Sequence, residues 1–142
     1  MTGHGLTILL VEDESCLRRV LARSLEARGH RVVAVATGRE AVATALAEHV
    51  DLMLLDVNLP DAAGWDVLRE LMLVGQPIPT VILSAVPPSA SRVRQLHPVA
   101  VLRKPFPIDA LLQIVQAVQR GALTTIRDEP APLPIAAAEE KP

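Results

Sequence analysis

Five short apolar runs, each separated from the next by a stretch with helical spacing, constrain the fold of this chain more than any other feature. "LTILLV" (6–11), "RVVAVA" (31–36), "DLMLLD" (51–56), "PTVILSA" (79–85) and "VAVLRK" (99–104) read as strands. Their near-continuous apolar character suits strands covered on both faces. In the first intervening segment Leu17, Val20, Leu21 and Leu25 mark one helix face, ending at Gly29. Val42, Ala45 and Leu46 mark the packing face of 38–49, and Val67, Leu68, Leu71 and Met72 that of a helix from about Gly64. The last helix, 107–120, opens on a proline, carries Ile108, Leu111, Leu112, Val115 and Val118 on one stripe, and stops at Gly121. Strands alternating with helices imply right-handed crossovers and an α/β fold built on a parallel sheet. "VPPSASRVRQLHP" (86–98) is short and rich in proline, which predicts a brief or irregular fourth helix.

At 142 residues the chain is one domain's worth, long enough to build a core without staples. Half the residues are hydrophobic, yet only one is Trp, one is Phe and none is Tyr, so the core must be aliphatic. A net charge of −2 argues against nucleic-acid binding by a broad basic surface. The single cysteine, Cys16, excludes an internal disulfide or a multi-cysteine metal site; with carboxylates beside it, a packing role is expected rather than a reactive one. His4, His30, His49 and His97 show no metal-ligand spacing. The N-terminus lacks signal-peptide character and no apolar run reaches membrane-span length, so a cytoplasmic protein without a membrane partner is expected. Residues 1–121 should form the domain, and the Pro/Ala-rich 122–142 a linker or disordered tail.

In open parallel sheets ligands bind at the carboxyl ends of the strands. Here those ends deliver Glu12 and Asp13 after the first run, Asp56 at the end of the third, Ser84 in the fourth and Lys104 in the fifth. Each alone has an ordinary explanation: acids suit a helix start, an Asp caps turns, a Ser sits in loops, a Lys is a solvated charge. Lys104 is harder to dismiss in a chain with twelve Arg and only two Lys. Together they suit phosphoryl transfer. Clustered carboxylates call for a hard divalent cation such as Mg²⁺, which accepts carboxylate and phosphate oxygens. A carboxylate there can attack phosphorus to give an acyl phosphate. Lysine and a hydroxyl can then hold phosphoryl oxygens. No Gly-rich phosphate loop follows the first strand, where "VEDES" stands instead.

"ILLVEDE", "LLDVNLPDAAGWDVL", "VILSA" and "LRKPF" resemble, in order and spacing, the motifs of the receiver domain of two-component response regulators, over about residues 6–120. The resemblance implies a flavodoxin-like, doubly wound five-stranded parallel sheet of order 2-1-3-4-5. It also implies a phosphoryl group supplied by a histidine kinase or a histidine phosphotransfer protein. By the same resemblance Asp56 is the phosphorylated residue. Glu12 and Asp13 are the acidic pair that holds Mg²⁺ (or Mn²⁺ in its place), Asp13 directly and Glu12 through water. Asp56 joins them as a ligand, and Asn58 completes the metal shell with its backbone carbonyl. Ser84 is the hydroxyl that turns toward the phosphoryl group, Lys104 is its cationic partner, and the Lys104–Pro105 bond is expected to be cis.

Two departures stand out. The family usually places Phe or Tyr three residues before the lysine; here that residue is Val101. The fourth-helix region is also short. The phosphorylation residues are complete, and the usual aromatic relay is not. The leading expectation is a phosphoacceptor signalling domain, not a classical enzyme, with self-phosphorylation from small donors, self-dephosphorylation and an unnamed downstream protein target. Dimerisation is left open. The competing reading is a receiver-shaped interaction module that works without phosphorylation. A phosphohydrolase of the haloacid-dehalogenase type is disfavoured, because Asn58 stands where a second Asp would be needed.

Overall fold

A computed structural model describes residues 5–121 and 135–136. Strands β1 (Thr7–Val11), β2 (Arg31–Val35), β3 (Leu52–Asp56), β4 (Thr80–Ser84) and β5 (Ala100–Arg103) alternate with helices α1 (Ser15–Glu26), α2 (Gly38–Ala47), α3 (Gly64–Leu73), α4 (Ala90–Leu96) and α5 (Ile108–Gln119). The five strands are parallel in the order 2-1-3-4-5, the flavodoxin-like arrangement expected above. A two-residue strand, β6 (Ile135–Ala136), continues the sheet beyond β5, with Val101 opposite Ile135 and Leu102 opposite Ala136. It falls within the segment expected to be an unstructured tail; residues 122–134 and 137–142 lie outside the described residues.

The period of two along each strand divides the core into two layers. Ile8, Leu10, Leu52, Leu54, Val81, Leu83, Ala100 and Leu102 face one side, where Leu21 and Leu25 of α1 and Leu111 and Val115 of α5 cover them. Leu9, Val11, Met53, Leu55, Ile82 and Val101 face the other, beneath Ala41, Ala45, Trp65, Leu68, Leu71 and Leu96. Covering both faces explains why β3 and β4 are buried at every residue.

Side-chain caps set the helix starts. Glu14 accepts the Leu17 amide at 2.7 Å, Thr37 accepts that of Glu40 at 3.1 Å, and Ser89 accepts that of Arg92 at 3.1 Å. Helix α4 has only seven residues because Pro87 and Pro88 precede its cap and His97 closes it in the left-handed conformation (φ 50°) just before Pro98.

Several helix-face assignments need correction. Val20, Leu46 and Met72 are exposed, and Ala41 and Trp65 take core positions instead. In α1 the expected face holds except for Val20 at its edge, whereas the buried faces of α2 and α3 sit a position or so toward the N-terminus of those expected. Cys16 is also exposed, so it is not packed as expected; it lies on the solvent side of the first turn of α1.

His30 is buried immediately before β2, where its Nδ1 accepts the Leu6 amide at 3.0 Å. Burial, and then the Arg28 charge, hold its pKa below the ordinary 6.5. The unfolded chain therefore binds the proton more readily than the folded one, so stability present at neutral pH is lost as pH falls through 6.5. Urea midpoints measured on either side of that value should show the loss. His30→Gln, which keeps an acceptor without a titrating proton, should flatten it.

Candidate functional site

Parity along the strands decides which rim residues meet. Glu12, Asp56 and Lys104 continue the register of Leu10, Leu54 and Leu102, the layer under α1 and α5. Ser84 continues the register of Ile82, on the opposite side. The three charged groups accordingly converge. The Lys104 ammonium donates to Glu12 Oε1 at 3.0 Å and lies 3.4 Å from Asp56 Oδ2. Glu12 is fully buried and Asp56 nearly so, while Asp13 is exposed. One carboxylate oxygen from each of Glu12, Asp13 and Asp56 lies within 4.8 Å of the others.

Backbone groups fix these carboxylates. The Asn58 amide donates to Asp56 Oδ1 at 3.1 Å, and the Glu14 amide to Glu12 Oε2 at 3.1 Å. Arg18 donates to the carbonyl of Glu12 at 2.8 Å and to that of Asp13 at 3.3 Å, bracing the acidic turn from α1. Burial pushes the Glu12 carboxyl above the usual carboxylate value and the Asp56 charge adds to it, against the pull of Lys104 and the Glu14 amide. Burial opposes the Lys104 charge, but Glu12 and Asp56 outweigh it and hold the ammonium above the ordinary lysine value.

On the other side of the rim the Ser84 hydroxyl donates to the Val86 carbonyl and accepts the Val86 amide at 3.1 Å. Lys104 is tied to the same strand end, its amide donating to the Ser84 carbonyl at 2.9 Å. The Lys104–Pro105 bond is cis, as expected. Asn58 lies in the loop after β3, where it bridges Ala63. Val101 is buried in the layer beneath Leu96, so a small aliphatic side chain fills the position where an aromatic was expected in other chains of this type.

Three supporting residues escaped the sequence reading. Asp61 accepts the amides of Gly38 and Arg39 at 2.8 and 3.0 Å, tying the loop after β3 to the start of α2, and these bonds depress its pKa. Arg18 looks in sequence like any surface cation of α1. Gly64 lies so close to the end of β3 that a Cβ there would stand 2.5 Å from the Asp56 carbonyl oxygen and 2.9 Å from the Val57 Cα. The only signal for the last was the turn-like "DAAG".

A parallel sheet wound in this order, with an acidic pair, an aspartate and a lysine gathered at its carboxyl rim, defines a receiver-type signalling domain. The model of the response regulator receiver domain matches residues 8–116, and the chain belongs to that family. The chain is 37% identical over 118 residues to the transcriptional regulatory protein TcrA of Mycobacterium tuberculosis, covering 82% of this chain and 47% of that one. To the response regulator MprA of Mycolicibacterium vanbaalenii it is 35% identical over 115 residues, covering 80% and 50%. It thus spans about half the length of the curated relatives it matches. Among solved structures it resembles the receiver domain of the sensor histidine kinase PA1611 from Pseudomonas aeruginosa, which has a magnesium ion coordinated in its active site cleft (TM-score 0.72, 32% identity, 82% and 98% coverage). It also resembles the chemotaxis response regulator CheY4 of Vibrio cholerae (TM-score 0.74, 26% identity, 80% and 98% coverage). No helix among the described residues is long and apolar enough to cross a membrane.

Proposed function

We propose that Asp56 accepts a phosphoryl group from a histidine kinase or a histidine phosphotransfer protein, and that its phosphorylation switches the binding of a downstream protein. The observation that carries this reading is the buried Asp56 carboxylate held between the Asn58 amide and Lys104, beside Glu12 and Asp13. Three carboxylates share the site with one ammonium, a surplus of negative charge made of hard oxygen donors, which fits Mg²⁺ or Mn²⁺. Glu12, Asp13, Asp56 and the Asn58 carbonyl would hold the ion. Bound there, it supplies charge neutralisation for the incoming phosphoryl oxygens. Asp56 provides the attacking oxygen, and Lys104 offers its donors to a phosphoryl oxygen. Ser84 bonds another once its hydroxyl leaves the Val86 carbonyl. The work of the chain is positioning and charge stabilisation, in a cytoplasmic setting with no nucleic acid bound by this domain.

Intact mass after incubation with Mg²⁺ and acetyl phosphate tests the reading. Wild type should gain one phosphate and Asp56→Ala none. An unmodified wild type, or equal modification of the variant, would sink it. The buried Val101, which cannot act as a rotating aromatic, favours the second reading, an interaction module indifferent to phosphorylation. Equal affinity of wild type and Asp56→Ala for a partner, with and without donor, would select that one.

A further inference from the structure

The two edges of the five-stranded sheet differ. β2 is exposed or half-buried at every residue, as an open edge should be, whereas Ala100, Val101 and Leu102 of β5 are buried. The Lys104 amide donates to the Ser84 carbonyl at 2.9 Å and Ser84 stands opposite Arg103, so the even-numbered amides of β5 serve β4. The amides of Val101 and Arg103 and the carbonyl of Val101 therefore point outward, and buried backbone groups need partners. Among the described residues the segment on that edge is β6, with Val101 opposite Ile135 and Leu102 opposite Ala136 in parallel. In a parallel ladder a residue bonds to the neighbours of the residue it faces, so Ala136 supplies the amide for the Val101 carbonyl. Composition makes this the first place where the tail can pair. Pro130, Pro132 and Pro134 lack amides, whereas "IAAA" (135–138) keeps them and carries no charge before Glu139 and Glu140.

We propose that the outer edge of β5 is a strand-docking surface held in cis by Ile135–Ala136, which competes there with an extended, uncharged segment of a partner protein. A strand of two residues offers only a few hydrogen bonds, each worth about 1 kcal/mol net. The tether compensates for that weakness. Docking is intramolecular, at an effective concentration on the order of millimolar. An occupant held in this way yields to a longer segment, which adds further ladder bonds and side-chain contacts. The edge belongs to the strand that runs into Lys104, and it carries Val101, the residue in place of the usual aromatic. β5 thus engages a partner through its main chain, which needs no rotating side chain.

Amide hydrogen exchange on the full chain, followed residue by residue by NMR, tests the inference. In wild type Val101 should exchange about tenfold more slowly than Val32 and Ala34. Those two amides face the open side of β2, since that of Arg31 donates to the Leu6 carbonyl on the β1 side. Ala136→Pro, which removes the amide facing Val101, should speed Val101 exchange about tenfold and leave Leu102, directed at β4, within about twofold. A peptide of residues 131–138 at millimolar concentration should restore slow Val101 exchange in the variant. It should change nothing in wild type, where the tethered copy already fills the edge. Val101 exchange as fast as that of Val32 in wild type, or a variant that ignores the peptide, would overturn the inference. Should Ala136→Pro fail to fold by circular dichroism, the wild-type comparison of Val101 with Val32 and Ala34 decides. A variant that stays protected at Val101 and sediments as a dimer would assign the edge to a second copy and overturn the choice of occupant. None of these readouts involves phosphate, so this inference and the phosphoacceptor reading fail separately.

Discussion

Lys104→Met is expected to destabilise the protein by about 3 kcal/mol in magnesium-free buffer at neutral pH, and to slow phosphorylation of Asp56 on the order of 100-fold. The stability loss follows from what the lysine leaves behind. Glu12 and Asp56 are both buried, and the Lys104 ammonium is their shared ion-pair partner, at 3.0 and 3.4 Å. Breaking a buried pair by removing one member strands the other charge, whereas an exposed pair would cost almost nothing. The pH dependence carries the sign. Burial already holds Glu12 above the ordinary value of 4.5. A group raised on folding contributes stability at low pH that is lost as pH rises through its folded value. Without Lys104 that loss should grow, so thermal melts should show the widest gap from wild type at neutral pH and a narrowing gap as the carboxyls protonate. If the proposed ion site is real, Mg²⁺ should restore part of the lost stability, because that site uses the same carboxylates. A variant as stable as wild type at every pH would mean that water, and not the lysine, compensates these charges.

Gly64→Ala is the second large effect, and it acts on backbone instead of charge. The added carbon would meet the Asp56 carbonyl oxygen at 2.5 Å and the Val57 Cα at 2.9 Å, and neither can rotate away as a side chain could. The Gly64 amide also donates to the Val57 carbonyl at 2.6 Å, so the start of α3 is clamped against the end of β3. Relief must come from moving one of them. An overpacking cost of about 2–3 kcal/mol is expected, read from urea midpoints. The second readout is functional: displacement of the strand end that carries Asp56 should slow phosphorylation from acetyl phosphate. Gly75→Ala is a useful contrast. That glycine has φ +78° and nothing near its Cβ direction, so its cost should be one of backbone strain, with the phosphorylation rate unchanged.

Much of the site was legible before the fold, for a simple geometric reason. Parallel strands of about five residues all end at one rim, so residues at the ends of apolar runs are gathered there whatever the packing. Glu12, Asp13, Asp56, Ser84 and Lys104 belong to this class. The helices were less legible. Val20, Leu46 and Met72 have the spacing of a packing face yet are exposed, because a wide apolar stripe does not say where its centre lies. Asp61 reads as a turn residue, and its helix-capping role depends on amides 22 and 23 residues earlier in the chain. Arg92 and Trp65 lie far apart in sequence and meet only because α3 and α4 pack on the same face.

The amino-acid sequence by itself determined the alternation of strand and helix, the aliphatic core and the identity of the groups delivered to the rim, since these follow from local periodicity and from where each run ends. Only the tertiary structure decided which of those groups touch. Strand parity puts Glu12, Asp56 and Lys104 on one side of the sheet and Ser84 on the other, and close helix packing leaves Gly64 no room for a side chain and gives Arg92 a ring to rest on. Contacts of that kind depend on distances between segments remote in the chain, which no local pattern encodes.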